Sequence, residues 1–295
     1  MLADPATTGK TGLLAIPVKH VSTDTVYTPE QNPYRTVMVD VTHRCNMACR
    51  NCYIPNRDIP DMDADWMERI IVRFPKRTHI RLVGAEPTVR KDLPDLVRRV
   101  RRAGHVPVLM TNGLKLGNAR YVRSLKAAGL RTVYLSVNGG FDDDAYEAVD
   151  DLRCATRKRR ALDTLCAEKM YVSLGIIVVR GTNEHVWEPV YRYALDRHNV
   201  HELHLRSVGP IGRYMLGDSY KLDELIEMFA QRAGLDPGWI KSHCRHEHYV
   251  DFRLGSLKMQ LTQWPDLGST TRGRLAPDGT LQPAFEHVMA NEGQY

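Results

Sequence analysis

Cys45, Cys49 and Cys52 stand in the stretch Thr42-His-Arg-Cys-Asn-Met-Ala-Cys-Arg-Asn-Cys-Tyr53. This C-x-x-x-C-x-x-C spacing supplies three thiolates to a four-iron cluster and leaves one iron without a protein ligand. Four cysteines would close such a cluster and make it an electron carrier. An open iron instead binds a small molecule, which turns the cluster to catalysis. Zinc is the obvious rival, but a structural zinc site calls for four ligands, usually from paired C-x-x-C units. His43, two residues from Cys45, has no partner pair behind it. The spacing favours an open [4Fe-4S] cluster.

A catalytic cluster needs elements that bring distant residues to one rim. From Thr36 onward, strand-like and helix-like runs alternate. Apolar strand candidates fall at 36–42, 78–83, 105–111, 131–137, 170–179 and 201–206, with helical patterns at 63–74, 92–103, 117–128, 154–168 and 184–198. Asp92 and Asn118 are placed to cap helices, and Gly104 and Gly129 to end them. Strands separated by helices pair in parallel through right-handed crossovers. Six such units, rather than eight, predict an α/β fold with an open or partial (β/α)6 barrel. Chemistry in parallel barrels gathers at the C-terminal strand ends.

After Gly209 the pattern changes. Residues 221–234 predict an amphipathic helix with Leu222, Leu225, Ile226 and Phe229 on one face. Residues 249–264 alternate as strands do around a turn at Gly255-Ser256, and Pro277-Asp-Gly279 marks a turn between strands at 272–276 and 280–285. The expected organisation is an N-terminal extension over 1–35, a barrel over 36–209, and an α+β extension over 210–295 that closes one side of the barrel and shapes the substrate pocket.

The motifs resemble those of the radical S-adenosylmethionine (SAM) enzymes. The cysteine triplet follows the apolar run 36–42, as it does in that superfamily. Val83-Gly-Ala-Glu-Pro-Thr-Val-Arg-Lys-Asp92 resembles the family's glycine–glycine–glutamate–proline segment, with Ala85 in the second glycine position. Met110-Thr-Asn-Gly113 and Leu135-Ser-Val-Asn-Gly139 resemble the ends of the fourth and fifth family strands. Val172-Ser-Leu-Gly-Ile-Ile-Val-Val179 resembles the strand whose backbone lies along the adenine. The resemblance covers residues 36 to 210, with the motifs in order.

It implies a [4Fe-4S] cluster on Cys45, Cys49 and Cys52, with SAM on its open iron. Reduction of SAM then yields a deoxyadenosyl radical that abstracts hydrogen from substrate. Gly84, Ala85, Glu86 and Pro87 are implied around SAM's methionine, with Glu86 on the ammonium. Thr111, Asn112, Ser136 and Asn138 are candidates for the ribose, and Gly175 and Ile177 for the adenine. Arg206 is a candidate for the carboxylate, because a guanidinium makes two parallel hydrogen bonds to that group. The family's aromatic residue before the third cysteine is Asn51 here; Tyr53, just after it, is the candidate for packing on the adenine.

Cys154, Cys166 and Cys244 are scattered, and only Cys244 lies beyond the barrel, so no auxiliary cluster is expected. That argues against the molybdenum-cofactor cyclases, which the segment from Glu86 to Asp92 superficially resembles. It also argues against peptide-maturing members with cysteine-rich C-terminal domains. In His243-Cys-Arg-His-Glu-His248 the alternation puts Cys244, His246 and His248 on one face. A solvated loop, a substrate contact and a metal site are all open readings of that segment.

The 295 residues are 43% hydrophobic, enough for a full core. No apolar run reaches the roughly 18 residues of a membrane helix. The N-terminal residues lack a basic region followed by an apolar stretch, so no signal peptide is expected. Cysteine usage fits a reduced, cytoplasmic protein. The net charge is +6, and residues 90–131 hold eleven Lys or Arg against two Asp. Such a balance raises the local concentration of phosphates or nucleic acid, while solvated outer helix faces are the plainer reading of the same charges. The leading expectation is modification or rearrangement of a nucleoside, nucleotide or nucleic-acid base, phage-type DNA hypermodification included. The alternative is a small-molecule or peptide biosynthetic intermediate. A flavodoxin- or ferredoxin-type electron donor is expected as partner. Readings from other classes are a non-catalytic electron-transfer protein and a zinc-binding nucleic-acid module.

Overall fold

The computed structural model describes residues 26–49, 52, 54, 57–209, 219–264, 272–275 and 279–283. Its centre is six parallel strands laid side by side in chain order: β1 (Thr36–Thr42), β2 (His79–Gly84), β3 (Val106–Thr111), β4 (Thr132–Ser136), β5 (Tyr171–Val178) and β6 (Val200–Ser207). The helices α1 (Ala64–Ile71), α2 (Leu93–Arg102), α3 (Ala119–Ala127), α4 (Asp143–Asp150), α5 (Ala155–Ala167) and α6 (Trp187–Leu195) connect them. The strand and helix positions follow the hydrophobic periods of the sequence. α4 is an addition. Its start is signalled by Asp142, whose carboxylate accepts from the Asp144 and Ala145 amides, with Asp143 and Asp144 in the acidic first turn.

Each crossover helix buries one apolar stripe. On α2 that stripe is Leu93, Leu96, Val97 and Val100, while the arginines point outward. Arg99 there bonds Asp95 on its own helix and Asp65 and Glu68 on α1, tying the two helices together. Asn118 caps α3 through the Tyr121 amide as expected, and Gly104 and Gly129, at φ +85 and +107, lie just past the ends of α2 and α3. Asp92 stands at the N-cap of α2 without a capping bond; its carboxylate is taken by Arg90.

The later residues form α7 (Leu222–Ala233), α8 (Pro237–Lys241), β7 (Cys244–His246), β8 (Tyr249–Leu254), β9 (Leu257–Thr262), β10 (Gly273–Leu275) and β11 (Leu281–Pro283). Leu222, Leu225, Ile226 and Phe229 of α7 are buried as its pattern predicts. β9 pairs in parallel with β6, and β10 pairs in parallel with β1. The sheet order is β11-β10-β1-β2-β3-β4-β5-β6-β9-β8-β7. The C-terminal strands thus widen the sheet at both edges, and the barrel stays open. The Arg274 guanidinium bonds both oxygens of Asp40, both residues buried, and locks β10 onto β1.

Residues alternate across these strands as the pleat requires. On β6, Leu203 and Leu205 join the main core, while Glu202, His204 and Arg206 take the opposite face, toward the concave interior. A small apolar set, Met38, Val83 and Met110, packs on that inner face of β1, β2 and β3. At the end of β2, Gly84 has φ +134, and a Cβ there would stand 2.0 Å from the Thr42 carbonyl oxygen. Gly84→Ala is expected to destabilise the fold by about 3 kcal/mol or more, from strain plus a lost β1–β2 contact. A urea midpoint equal to that of the unchanged protein would contradict this.

Candidate active site

The three cysteines lie in the loop leaving β1, at the C-terminal rim of the strands. Local bonds shape this loop around the sulfurs. The Met47 amide donates to Cys45 Sγ at 3.3 Å, and the Cys52 amide to the Cys49 carbonyl at 3.3 Å. Arg57 donates one nitrogen to Cys52 Sγ at 3.1 Å and another to the Met47 carbonyl at 3.2 Å. Behind the loop pack Met47, Leu114, Tyr146, Cys154 and Ala155. Burial pushes the Cys45 and Cys49 thiols above their ordinary range. Metal binding displaces those protons, so loading is pH-dependent.

Cys45, Cys49 and Cys52 face one cleft of about 190 Å³. Cys154, Cys166 and Cys244 do not line it. Among the described residues no three His, Cys, Asp or Glu side chains are gathered as a site for a single metal ion, and this includes the His243–His248 segment. There, His246 stacks on Tyr249 at 4.8 Å. Three thiols on one wall, with backbone and guanidinium donors aimed at their sulfurs, suit a multi-iron cluster, whose sulfurs accept such bonds.

The Gly84–Glu86 backbone is clamped to the start of the cysteine loop. The Ala85 amide donates to the Thr42 carbonyl and the Glu86 amide to the Arg44 carbonyl, at 2.9 and 3.1 Å. Gly84 and Ala85 line the cleft. Glu86 is fully buried: Oε1 accepts from the Thr88 amide and hydroxyl and the Thr111 hydroxyl, and Oε2 from the Asn112 amide at 2.7 Å. Pro87 is buried beside it, opening a 3-10 turn over Pro87–Val89. Asn112 lines the cleft with Thr111 and donates to Asn46 Oδ1 at 2.8 Å, so the carboxylate holds a residue that in turn braces the cysteine loop.

Ser136, Asn138 and Ile177 also line the cleft. Asn138 is tied down: its Oδ1 accepts from the Ile177 amide at 3.0 Å and its Nδ2 donates to Asp150 Oδ1 at 3.0 Å. Asn183 then donates to the carbonyls of both Asn138 and Ile177. Asp150, at the end of α4, is held in the protonated direction by burial, against the pull of Lys158. Lys158 is buried and donates to the Ser136 carbonyl at 3.0 Å. Gly175 lies beneath the Tyr134 ring, where a Cβ would stand 2.1 Å from the phenol oxygen. Tyr53, like Asn51, lies outside the described residues.

Arg206 lines the cleft with its guanidinium 5.2 Å from the Trp264 ring. Deeper in the interior is Arg81 of β2, which among the described residues donates to Met110 Sδ at 4.0 Å. Neither arginine has a carboxylate within ion-pair distance among the described residues, whereas Glu202 nearby is engaged by Lys258 at 3.3 Å. Burial, reinforced by Arg272, lowers the Arg81 pKa to about 10. His204 sits among them, bonded to the Tyr134 hydroxyl at 3.2 Å and the Thr262 hydroxyl at 2.8 Å. Burial, then Arg206, Arg272, Arg81 and Lys258, keep it neutral, well below 6.5.

The unfolded chain protonates His204 near 6.5 and the folded one does not, so its contribution to stability is present above that pH and lost as pH falls. The expected slope is about 1.4 kcal/mol per pH unit from this one site. His204→Gln should flatten the fall of the urea midpoint with acidification by that amount. An unchanged slope would show that His204 already takes up its proton in the folded state.

Sequence reading passed over Arg57, Arg81, Tyr134, Asp150 and His204. A signal was present for Arg81 and His204. Both break apolar strand runs at alternate positions, which in a parallel strand marks a second face that is not simple core.

Comparison with known proteins agrees with this geometry. The family model for the radical SAM superfamily matches residues 39–194. A 7,8-dihydro-6-hydroxymethylpterin dimethyltransferase of Methanocaldococcus jannaschii is 34% identical over 176 residues, which are 55% of this chain and 34% of that protein. A GTP 3',8-cyclase of Staphylococcus aureus is 25% identical over 271 residues, which are 84% of this chain and 77% of that protein. Among solved structures, Streptococcus suis SuiB bound to S-adenosylmethionine matches with a TM-score of 0.64 at 13% identity, over 86% of this chain and 61% of SuiB, a likeness of fold alone. The chain therefore spans only part of the methyltransferase and of SuiB. With three cysteines at the rim of an open parallel barrel and a family match over more than half its length, the chain belongs to the radical SAM superfamily, enzymes that work with a [4Fe-4S] cluster and SAM.

Proposed function

We propose that this radical SAM enzyme modifies or rearranges a nucleotide, whose phosphate is held in the barrel interior by Arg81. The observation that carries the reading is the Arg81 guanidinium itself, largely buried and, among the described residues, with no carboxylate within ion-pair distance, Glu202 acting on it only from farther off. A buried charge is costly unless it is paired. An anionic substrate group supplies the missing partner. The similarity to a GTP 3',8-cyclase over 84% of the chain supports a purine nucleotide.

Cys45, Cys49 and Cys52 would hold the cluster, with Arg57 bonded to a ligand sulfur. When bound, the cluster and SAM together supply a deoxyadenosyl radical that takes hydrogen from an unactivated C–H bond. The protein's own residues orient the partners. Gly84 and Ala85 present backbone to the methionine side of the cleft, and Glu86 orders that wall from behind. Ser136 and Ile177 serve the adenosine, Asn138 fixing Ile177 in place, and Arg206 serves the methionine carboxylate. No helix among the described residues is long and apolar enough to cross a membrane. All six cysteines are free; a reducing cytoplasm and a flavodoxin- or ferredoxin-type donor complete the proposal.

The test is anaerobic. The reconstituted enzyme is given SAM, dithionite and purine nucleotides or the matching nucleosides, each deuterated on the sugar. Deuterium in 5′-deoxyadenosine with a nucleotide, and much less with its nucleoside, is the expected result. Equal transfer from both would remove the phosphate from the proposal. No transfer from any nucleotide would end the nucleotide reading.

A further inference from the structure

We infer that the Arg57 guanidinium raises the reduction potential of the cluster while clasping the loop that carries it. The inference rests on the assignment of Cys45, Cys49 and Cys52 to a cluster, and it is independent of the nucleotide reading. One terminal nitrogen of Arg57 donates to Cys52 Sγ at 3.1 Å, and the other to the Met47 carbonyl at 3.2 Å. The Met47 amide in turn donates to Cys45 Sγ at 3.3 Å. A single guanidinium therefore bridges the stretch from Cys45 to Cys52, through Met47 near one end and the sulfur itself at the other. Arg57 touches a ligand and not substrate, so it is a positioning residue.

The same contact delivers charge to the sulfurs. Among the described residues the other donors to a ligand sulfur are neutral: the Met47 amide, and the Asn112 side-chain amide at 3.9 Å from Cys45 Sγ. The cations that line the cleft are Arg57, Lys158 and Arg206. Lys158 is bonded to the Ser136 carbonyl, and Arg206 lies against the Trp264 ring. Arg57 is the one bonded to a thiol of the triplet, and its charge is felt at Cys45 as well. It has no carboxylate within ion-pair distance among the described residues, whereas Arg44, also beside the loop, is paired with Asp61. Half-buried in the cleft wall, the Arg57 charge is screened less than one on the open surface.

Reduction adds one electron from an external one-electron reductant, with no bond broken and no proton moved. The cluster and its thiolates together become more negative by one charge. A fixed cation bonded to a ligand sulfur stabilises that reduced form more than the oxidised one, and hydrogen bonds to the sulfurs act in the same direction. Removing the charge leaves the cluster harder to reduce. A clasp without an electrostatic role predicts something different. Losing the two-pronged brace would then loosen the loop and lower iron retention, without moving the potential of the clusters that remain.

The experiment is an anaerobic redox titration of the reconstituted holoprotein with titanium(III) citrate, without substrate, followed by electron paramagnetic resonance of the reduced cluster. Arg57→Met and Arg57→Gln remove the charge, and Arg57→Lys keeps it without the planar fork. Arg44→Gln removes a nearby charge that Asp61 already neutralises. The expected result is reduction about tenfold less favourable in Arg57→Met and Arg57→Gln, a fall of about 59 mV for one electron. Arg57→Lys and Arg44→Gln should stay close to the unchanged protein. Potentials are read on the clusters present, and iron content reports separately on the clasp. Unmoved potentials in Arg57→Met and Arg57→Gln would overturn the inference. So would an equal fall in Arg57→Lys, which would assign the effect to the brace, or in Arg44→Gln, which would assign it to general surface charge. If Arg57→Met holds no cluster, Arg57→Gln against Arg57→Lys decides on the same terms. The expected fall in a protein that turns over no nucleotide would leave this inference standing while ending the substrate proposal above.

Discussion

Cys49→Ala is expected to leave a folded protein that retains little iron and produces no detectable 5′-deoxyadenosine. On the proposed ligand assignment the cluster rests on the three thiols at this rim, and the remaining cysteines do not line the cleft. With one thiol gone, two iron atoms lack protein ligands, and the cluster has neither the stability nor the single open site that SAM needs. The fold should survive. Cys49 is a partly buried loop residue packed against the small apolar set behind the loop, outside the main core under the sheet. Its neighbour Asp150 loses one hydrogen-bond partner but keeps the Asn138 amide at 3.0 Å. Iron content, visible absorbance and deoxyadenosine yield after anaerobic reconstitution check the prediction, with circular dichroism as the control for folding. Cys154→Ala, made alongside, should keep both iron and cleavage. If the two variants exchanged behaviours, the ligand assignment would be wrong.

Arg81→Met is expected to stabilise the protein while removing its turnover of an anionic substrate. The guanidinium sits in the barrel interior with a thioether as its hydrogen-bond partner among the described residues, and Arg272 and Arg206 add positive charge to the same space. Replacing it with an apolar chain of similar length removes an uncompensated buried charge and adds contact with Met110. A gain of about 1–3 kcal/mol is expected. The same change deprives a phosphate of its partner, so nucleotide-dependent hydrogen transfer should fall by about two orders of magnitude or more. SAM cleavage without substrate should persist, because Arg81 does not line the cleft. Arg81→Lys keeps the charge but not the planar fork, and should restore binding only in part. A urea midpoint that falls in Arg81→Met would show that the arginine is already compensated within the folded chain, and the proposal for the phosphate would lose its basis.

Local chemistry made much of this molecule legible before any coordinates. The cysteine spacing states its own purpose, because three thiols at short fixed intervals have few uses. The strands of the barrel read directly from apolar runs, since a parallel strand under a layer of helices must be apolar on at least one face. The helices read from stripes such as Leu93, Leu96, Val97 and Val100. α4 escaped because its buried positions, Ala145, Tyr146 and Val149, make too short a stripe to stand out. Glu86 was legible as important, but its placement was not. Its partners Thr88, Thr111 and Asn112 come from two separate strand ends, and only the packing of β2 beside β3 brings them to one carboxylate.

The basic segments show the same division. Eleven basic residues over 90–131 are visible in the sequence, yet which of them carry free charge is not. That depends on which acidic side chains the folded helices bring within reach, as Asp65 and Glu68 of α1 reach Arg99. By itself the sequence determined the three-cysteine spacing, the six-strand parallel order and the family, because each is written in spacing or period along a single segment. Tertiary structure alone decided that Arg81, Tyr134, His204 and Arg206 share one interior, and that Thr88, Thr111 and Asn112 converge on Glu86. Those facts depend on the curvature of the sheet and the lateral order of its strands, and electrostatic energy is set by distance in space, not by separation along the chain.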